Sequence, residues 1–465
     1  MARHGPALLA LALALAPHAA AAADATVEEA WGALGAARWG ATYEEWTRPG
    51  PPASCERVRS TGSWTTADEE WAYRCRREAA ATVSEWFFYV LPGDPPAPRL
   101  EQLRVTVAPP GPSAAALAER HRGLAERISA RHGAGERPAT PTVLEFGAAS
   151  WRDVRRWRTD ALEILLYVDE PTAGSPYVGV LARHRPLLAA LREDERERAA
   201  TGAPAWAEQV EARLAALLGD ELRATYPDYG GLLARFRESP MDPAAQAKAY
   251  AMAVDLLKAA AARDARRSAL LLAADQLARQ LASADERSPE WDARRRALGA
   301  HGLTWQWAPL GATWVYGHDL LWQVWRESPG SPWGERAFVR LLDLGWDTSV
   351  GCSKGSDRFR DVIREGEAFL AGRPGSPVRV DVEFQLAQAY ETWWSLSQAS
   401  PEDQYAEPAR YQTGAPTARQ RAIALYDGVL RAVPDRPEAA YARRALPRLV
   451  LGFATNQRRF FCVYD

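Results

Sequence analysis

Two hydrophobic periods divide the chain. Up to roughly residue 200, apolar residues tend to alternate with polar ones, and beyond it they recur at every third and fourth position. In the first part, "EEWAYRCRRE" and "TVSEWFFYVLP" are rich in aromatic and β-branched residues, and Gly and Pro bound them, which predicts strands. "RLEQLRVTVAPP" alternates imperfectly through Leu100, Leu103, Val105 and Val107 and stops at Pro109 and Pro110. "VLEFGA", "SWRDVRRWR" and "ALEILLYVDEP" predict further strands, with Thr159 and Asp160 turning one into the next. Strict alternation in "WRDVRRWR" would put Trp151, Asp153, Arg155 and Trp157 on one face and Arg152, Val154, Arg156 and Arg158 on the other. "SAAALAERHRGLAERISARHG" places Leu117, Leu124 and Ile128 on one helical stripe, with Ser113 as N-cap. The sum is a small α+β domain over residues 24–200, an antiparallel sheet with one main helix packed on it. The charged, then Gly- and Pro-bearing "LREDERERAATGAPAWAEQ" marks its end.

In the second part, residues 201–455, strand signals nearly vanish. Alanine- and leucine-rich runs such as "WAEQVEARLAALLGDEL" and "AQAKAYAMAVDLLKAAAARDARRSALLLAADQLARQLA" predict helices. Between them a Pro-flanked turn recurs: "RESPMDPAAQA", "DERSPEWDARR", "RESPGSPWGERA", "GRPGSPVRVDV" and "VPDRPEAAYARR". Aligned on the last proline these are Pro243, Pro289, Pro332, Pro377 and Pro437, spaced 46, 43, 45 and 60 residues apart. The long last interval holds the polar insert "ASPEDQYAEPARYQTGAPT". An earlier proline (Pro240, Pro329, Pro374 or Pro434) cannot continue the helix before it, and the later one fits the first position of the next, where a missing N–H costs nothing. Asp242, Ser288, Ser331 and Ser376 stand at the N-cap position, and Arg436 departs from the pattern. Helix pairs at a near-fixed period predict an α-solenoid.

This part resembles tetratricopeptide-like repeat proteins of the bacterial cell envelope, most clearly over residues 355–455. "RAIALYDGVLRAVPDRPEAAYARRAL" carries the likeness through Ala422, Leu425, Tyr426, Pro434, Ala439, Ala440 and Ala442. "REGEAFLAGRPGSPVRVDVEFQLAQAYETWW" is similar to units of outer-membrane assembly lipoproteins and periplasmic coordinator proteins. The resemblance implies an all-α repeat domain that binds peptides or proteins. The period exceeds the roughly 34 residues of the usual unit.

The N-terminus adds a compartment. "MARHGPALLALALALAPHAAAAADATVEEAW" has a short polar start, an apolar run too short to span a bilayer, and Ala21 to Ala23 as a small-residue cleavage site. It reads as a secretory signal over residues 1–23, which places the mature chain in a periplasmic or extracellular space. No later segment is long and apolar enough to span a membrane. Four cysteines fit an oxidising compartment. Proximity favours Cys55 with Cys75, which leaves Cys352 with Cys462 to tether a tail at 456–465. With no CxxC pair, zinc is disfavoured. A formal charge of −2 argues against a nucleic-acid partner.

Chemistry is sparse. HExxH, GxSxG and GxxxxGK[ST] are all missing. His121, His132, His184, His301 and His318 are scattered without ligand spacing, so neither a cofactor nor a metal is expected. Asp68, Glu69 and Glu70 in "TTADEEW" read as a solvated hairpin tip before they read as acid–base catalysts. Cys352 could pair with His318 as thiol and imidazole, but "GWDTSVGCSKGSDRF" reads better as a Gly-rich loop whose Ser356 caps the next helix. The candidate ligand-binding residues are aromatic and basic: Trp305, Trp307, Trp314, Trp322, Trp325, Trp393 and Trp394 in the second part, and Arg155 and Trp157 in the first. Helical spacing of Trp322 and Trp325 reads more readily as core. The sequence thus favours an exported, non-enzymatic scaffold whose partner is an envelope protein or peptide. The alternatives are a cell-wall glycan or peptide binder using the tryptophans, and a secreted hydrolase with an unrecognised site.

Overall fold

The computed structural model describes residues 25–49, 54–57, 71–79, 82–90, 97–107, 113–138, 151–171, 175–201, 203–239, 242–262, 265–281, 288–308, 313–348, 357–399, 407–455 and 458–461. The leader, Asp68, Glu69 and Glu70 of "TTADEEW", "VLEFGA", Cys352 and Cys462 lie outside them. The described residues form two compact units, one ending at Arg196 and the other beginning beyond it.

The first unit is a seven-stranded, wholly antiparallel sheet in the order β1-β2-β3-β4-β7-β6-β5. Its strands are β1 (Ser54–Arg57), β2 (Trp71–Ala79), β3 (Thr82–Val90), β4 (Pro98–Val107), β5 (Trp151–Arg158), β6 (Leu162–Asp169) and β7 (Tyr177–His184). One face carries α1 (25–36), α2 (Tyr43–Thr47) and α3 (Ala114–His132). Leu117, Leu124 and Ile128 of α3 pack on Leu103, Val105, Ile164 and Val180, and Ser113 Oγ accepts the Ala116 amide as the cap. Each such side chain taken fully out of water contributes roughly 1.5–3 kcal/mol. The sequence pattern singles out neither α1 nor β7. β7 has Gly179 at its centre, and the Tyr167 ring lies where a Cβ would stand, 2.3 Å away.

The faces of β5 depart from strict alternation. A bulge between Arg152 and Arg155 inserts one residue, with Asp153 at φ 51°. Trp151 therefore stacks on Tyr167, ring centroids 3.6 Å apart, while Trp157 lies buried on the opposite, helix-covered face. An added residue shifts the period of two by one, so everything before it changes sides.

The second unit is helical: α4 (Arg185–Thr201, which begins in the first unit), α5 (Ala203–Leu222), α6 (Tyr229–Glu238), α7 (Pro243–Ala261), α8 (Arg267–Gln280), α9 (Pro289–Gly299), α10 (Asp319–Glu327), α11 (Pro332–Asp343), α12 (Arg358–Gly372), α13 (Arg379–Ser397), α14 (Pro408–Tyr411), α15 (Ala415–Ala432) and α16 (Pro437–Leu451). The charged, Gly- and Pro-bearing stretch expected to mark the domain boundary is helical on both sides of residue 202. Helices pack on their chain neighbours, α7 on α8, α10 on α11, α12 on α13 and α15 on α16, or on the next helix but one, α8 on α10 and α13 on α15. One strand pair interrupts them, β8 (Trp305–Ala308) with β9 (Thr313–Tyr316), where the sequence predicts no strand.

Pro243, Pro289, Pro332 and Pro437 each open a helix as expected. Asp242, Ser288 and Ser331 accept the expected backbone amides, and Arg436 makes no side-chain cap. The Pro377 turn differs. Its helix starts two residues later at Arg379, so Ser376 stands outside the N-cap position, yet its Oγ still accepts the Val378 amide at 3.2 Å while donating to Glu335 on α11 at 2.8 Å. Ser356, the expected cap of α12, lies outside the described residues. Asp357 stands at the N-cap position of α12 without a side-chain cap bond; its carboxylate instead accepts from Tyr411 Oη at 2.9 Å and pairs with Arg360 and Arg410.

Candidate functional site

The candidate residues of the first unit face inward. Trp157 is 2 % exposed, and its indole N–H donates to the Gly133 carbonyl at the end of α3, 3.0 Å away. A Cβ at Gly135 would stand 2.5 Å from the same ring, so this segment is bare to let the indole in. Arg155 is half-buried on that face, close enough to oppose protonation of His121. Burial pushes the His121 imidazole below its ordinary value, and the Asp153 backbone and charge offset this in part.

The tryptophans of the second unit are spread over three places. Trp305, Trp307 and Trp314 lie on the β8–β9 hairpin, with Trp307 paired across from Trp314 and Trp305 buried against Trp291 and Tyr316. Trp322 and Trp325 share α10. Trp322 donates to Thr348 Oγ1 at 3.1 Å and meets Trp346 edge-on, while Trp325 packs on Phe338. Trp393 and Trp394 lie on α13, where Trp393 donates to the Tyr411 carbonyl. Arginines of the same chain stand over five of these seven rings: Arg295 over Trp314, Arg326 over Trp322, Arg373 over Trp325, Arg360 over Trp393 and Arg419 over Trp394, at 4.7–5.5 Å. Each contact uses a ring face that a sugar would stack on, and such pairs are worth roughly 0.5–1 kcal/mol when exposed.

A different constellation, which the sequence reading missed, is brought together by α5. Its apolar stripe, Val210, Leu214, Leu218 and Leu222, is buried. Two charged residues beside that stripe reach four helices. Glu211 pairs with Arg279 of α8 and Arg340 of α11 and accepts from Gln276 Nε2 at 3.0 Å. Arg213 pairs with Asp381 of α13 at 3.5 Å and with Glu438 of α16 at 2.8 Å. Arg436 also serves both of those carboxylates. Glu438 is fully buried and Arg340 is 3 % exposed. Burial raises the Asp381 carboxyl above its ordinary value despite the partial offset by Arg436 and Arg213. For Arg340, burial works to lower the value, and the carboxylates of Glu211, Asp343 and Asp275 outweigh it. The available signal was a charged pair flanking an otherwise apolar stripe in "QVEARLAALL".

Two further buried clusters surround this row. Glu391 of α13 accepts from Tyr426 and Tyr441 and pairs with Arg448. His318, in left-handed conformation at φ 56°, stands with Nδ1 3.4 Å from Asp275. Asp275, His318, Glu391, Tyr426 and Tyr441 are all buried. Among the described residues no group of three His, Cys, Asp or Glu could hold a metal ion, and no helix is long and apolar enough to cross a membrane. No protein-family model, curated protein or solved structure matches this chain.

Proposed function

We propose that this chain is an exported, non-enzymatic scaffold of tetratricopeptide-like helix pairs that holds an envelope protein or peptide. The observation that carries the reading is the packing of successive long helices, α7 on α8, α10 on α11, α12 on α13 and α15 on α16, with Pro-flanked turns opening α7, α11 and α16. Layers of this kind offer long rows of side chains from alternate helices, suited to an extended or helical ligand. The Cys55–Cys75 bridge between β1 and β2 supports export, because such bonds persist in oxidising compartments. The leader-like N-terminus supports the same compartment.

The test is affinity capture of the full chain from envelope extract after in-cell cross-linking, with the isolated sheet unit as control bait. Recovery of one defined protein by the full chain, and not by the control, is expected. If nothing specific co-purifies at low salt, the scaffold reading falls.

A further inference from the structure

We propose that α8, α11, α13 and α16 together form a helix-binding face, and that the chain's own α5 is its resident, displaceable occupant. The proposal rests on the scaffold reading above and names what that scaffold grips: an amphipathic helix with a carboxylate two residues before a guanidinium.

The argument begins with which helices α5 touches. α8 packs on α11 and α11 on α13, while α16 brings Glu438 beside Asp381 of α13 through the arginines they share, Arg213 and Arg436. Each of the four gives α5 at least one charged or polar side chain: Gln276 and Arg279, Arg340, Asp381, and Glu438. The face is therefore drawn from four helices well separated in sequence, and the side chains of a single helix reach all of them.

Charge placement comes next. Arg279 and Arg340 meet at Glu211, and Asp381 and Glu438 meet at Arg213. Without α5 the row would present two guanidiniums in one place and two carboxylates in another. Arg436 and Asp343 offset part of that repulsion. Burying like charges side by side is unfavourable unless an opposite charge enters between them. α5 supplies one for each pair, from positions two apart. Buried ion pairs of this kind set register and choice of partner more than they add net stability. A helix needed only to fill a core would do so with apolar side chains, which Leu214, Leu218 and Leu222 already provide.

The anchor pattern also matches helix-in-groove recognition. Val210 joins the core cluster of α13, α15 and α16, while Leu214 and Leu218 join that of α7, α8 and α11. Anchors at i, i+4 and i+8 with charges beside them are how a groove reads a helix. A partner with the same pattern would compete for the same contacts, and the local α5 has the advantage of high effective concentration.

The experiment uses the full chain and a fluorescent synthetic peptide of residues 203–222. Wild type is expected to bind the peptide weakly, because α5 holds the face. The double variant Glu211→Ala/Arg213→Ala loosens α5 and is expected to bind the wild-type peptide at least tenfold more tightly. It should ignore a peptide carrying Glu211→Arg and Arg213→Glu. Equal binding by wild type and a folded double variant, or equal binding of both peptides, overturns the proposal. Hydrogen exchange on the wild-type chain keeps the test independent of the variant's folding. Amides of α5 are expected to exchange at least tenfold faster than those of α8 and α13, and equal protection makes α5 an ordinary core helix. Such a result leaves the scaffold reading standing, since partner capture from envelope extract measures that separately.

Discussion

Single residues at the turns carry much of the sequence's instruction. In "RESPGSPWGERA", Ser331 Oγ accepts the Gly334 amide at 2.9 Å and donates to the Ser328 carbonyl at 2.9 Å. That draws the turn so tight that a Cβ at Gly334 would stand 1.8 Å from the Ser328 carbonyl oxygen. The glycine is set by this close approach of backbone to backbone. Gly334→Ala should cost about 3 kcal/mol, at the upper end of overpacking effects, whereas Ser331→Ala should cost about 1 kcal/mol, the usual loss of a cap. Urea unfolding of the two variants measures the difference. A Gly334→Ala loss no larger than that of Ser331→Ala would show that the turn relaxes.

At the scale of elements, the pairing of β1 with β2 places Cys55 directly across from Cys75 and closes a 20-residue separation. Proximity in sequence was enough to favour that bridge, because a hairpin brings such positions opposite one another. Cys55→Ser/Cys75→Ser should cost about 3 kcal/mol by the loop-closure argument, felt by the sheet unit. Hydrogen exchange localises the loss: β2 and β3 amides should exchange faster while those of α13 and α15 do not change. Uniform acceleration across both units would contradict the localisation. The bulge in β5 teaches the opposite lesson. Asp153 interrupts a pattern of perfect alternation, and nothing in the letters marks it, since the insertion is decided by the fit to β6 and by α3 packed behind.

For the whole molecule, acidity should act on one unit. His121, His132 and His184 belong to the sheet unit, and burial lowers the pKa of each, foremost among the causes given. A lowered imidazole binds its proton more readily in the unfolded chain. Unfolded chains then bind more protons than folded ones once the pH falls below the ordinary value of about 6.5, so stability rises with pH through that window. The contribution is complete above about 6.5 and is lost as the pH falls toward the lowered folded values. Thermal melts followed by near-ultraviolet dichroism between pH 7.5 and pH 5 should show the sheet unit melting earlier at acid pH. His121→Leu, which keeps the site uncharged, should flatten part of that slope. An unchanged slope would place the acid sensitivity elsewhere.

The chain by itself determined its local order. Strands followed from aromatic and β-branched runs, the α3 stripe from period 3.6, and four of five helix starts from prolines whose missing N–H is harmless only at a first helical turn. These are short-range effects, decided by residues within a turn of one another. Tertiary structure alone decided what depends on distant partners. It turned the expected binding tryptophans toward Arg295, Arg326, Arg360, Arg373 and Arg419, and it paired "WQWA" with "TWVY" as strands where helix formers surround them. It also gathered Glu211 and Arg213 against charges from four helices, the farthest 225 residues away at Glu438. A charge's meaning depends on what stands within a few ångströms of it, and only the folded chain fixes those neighbours.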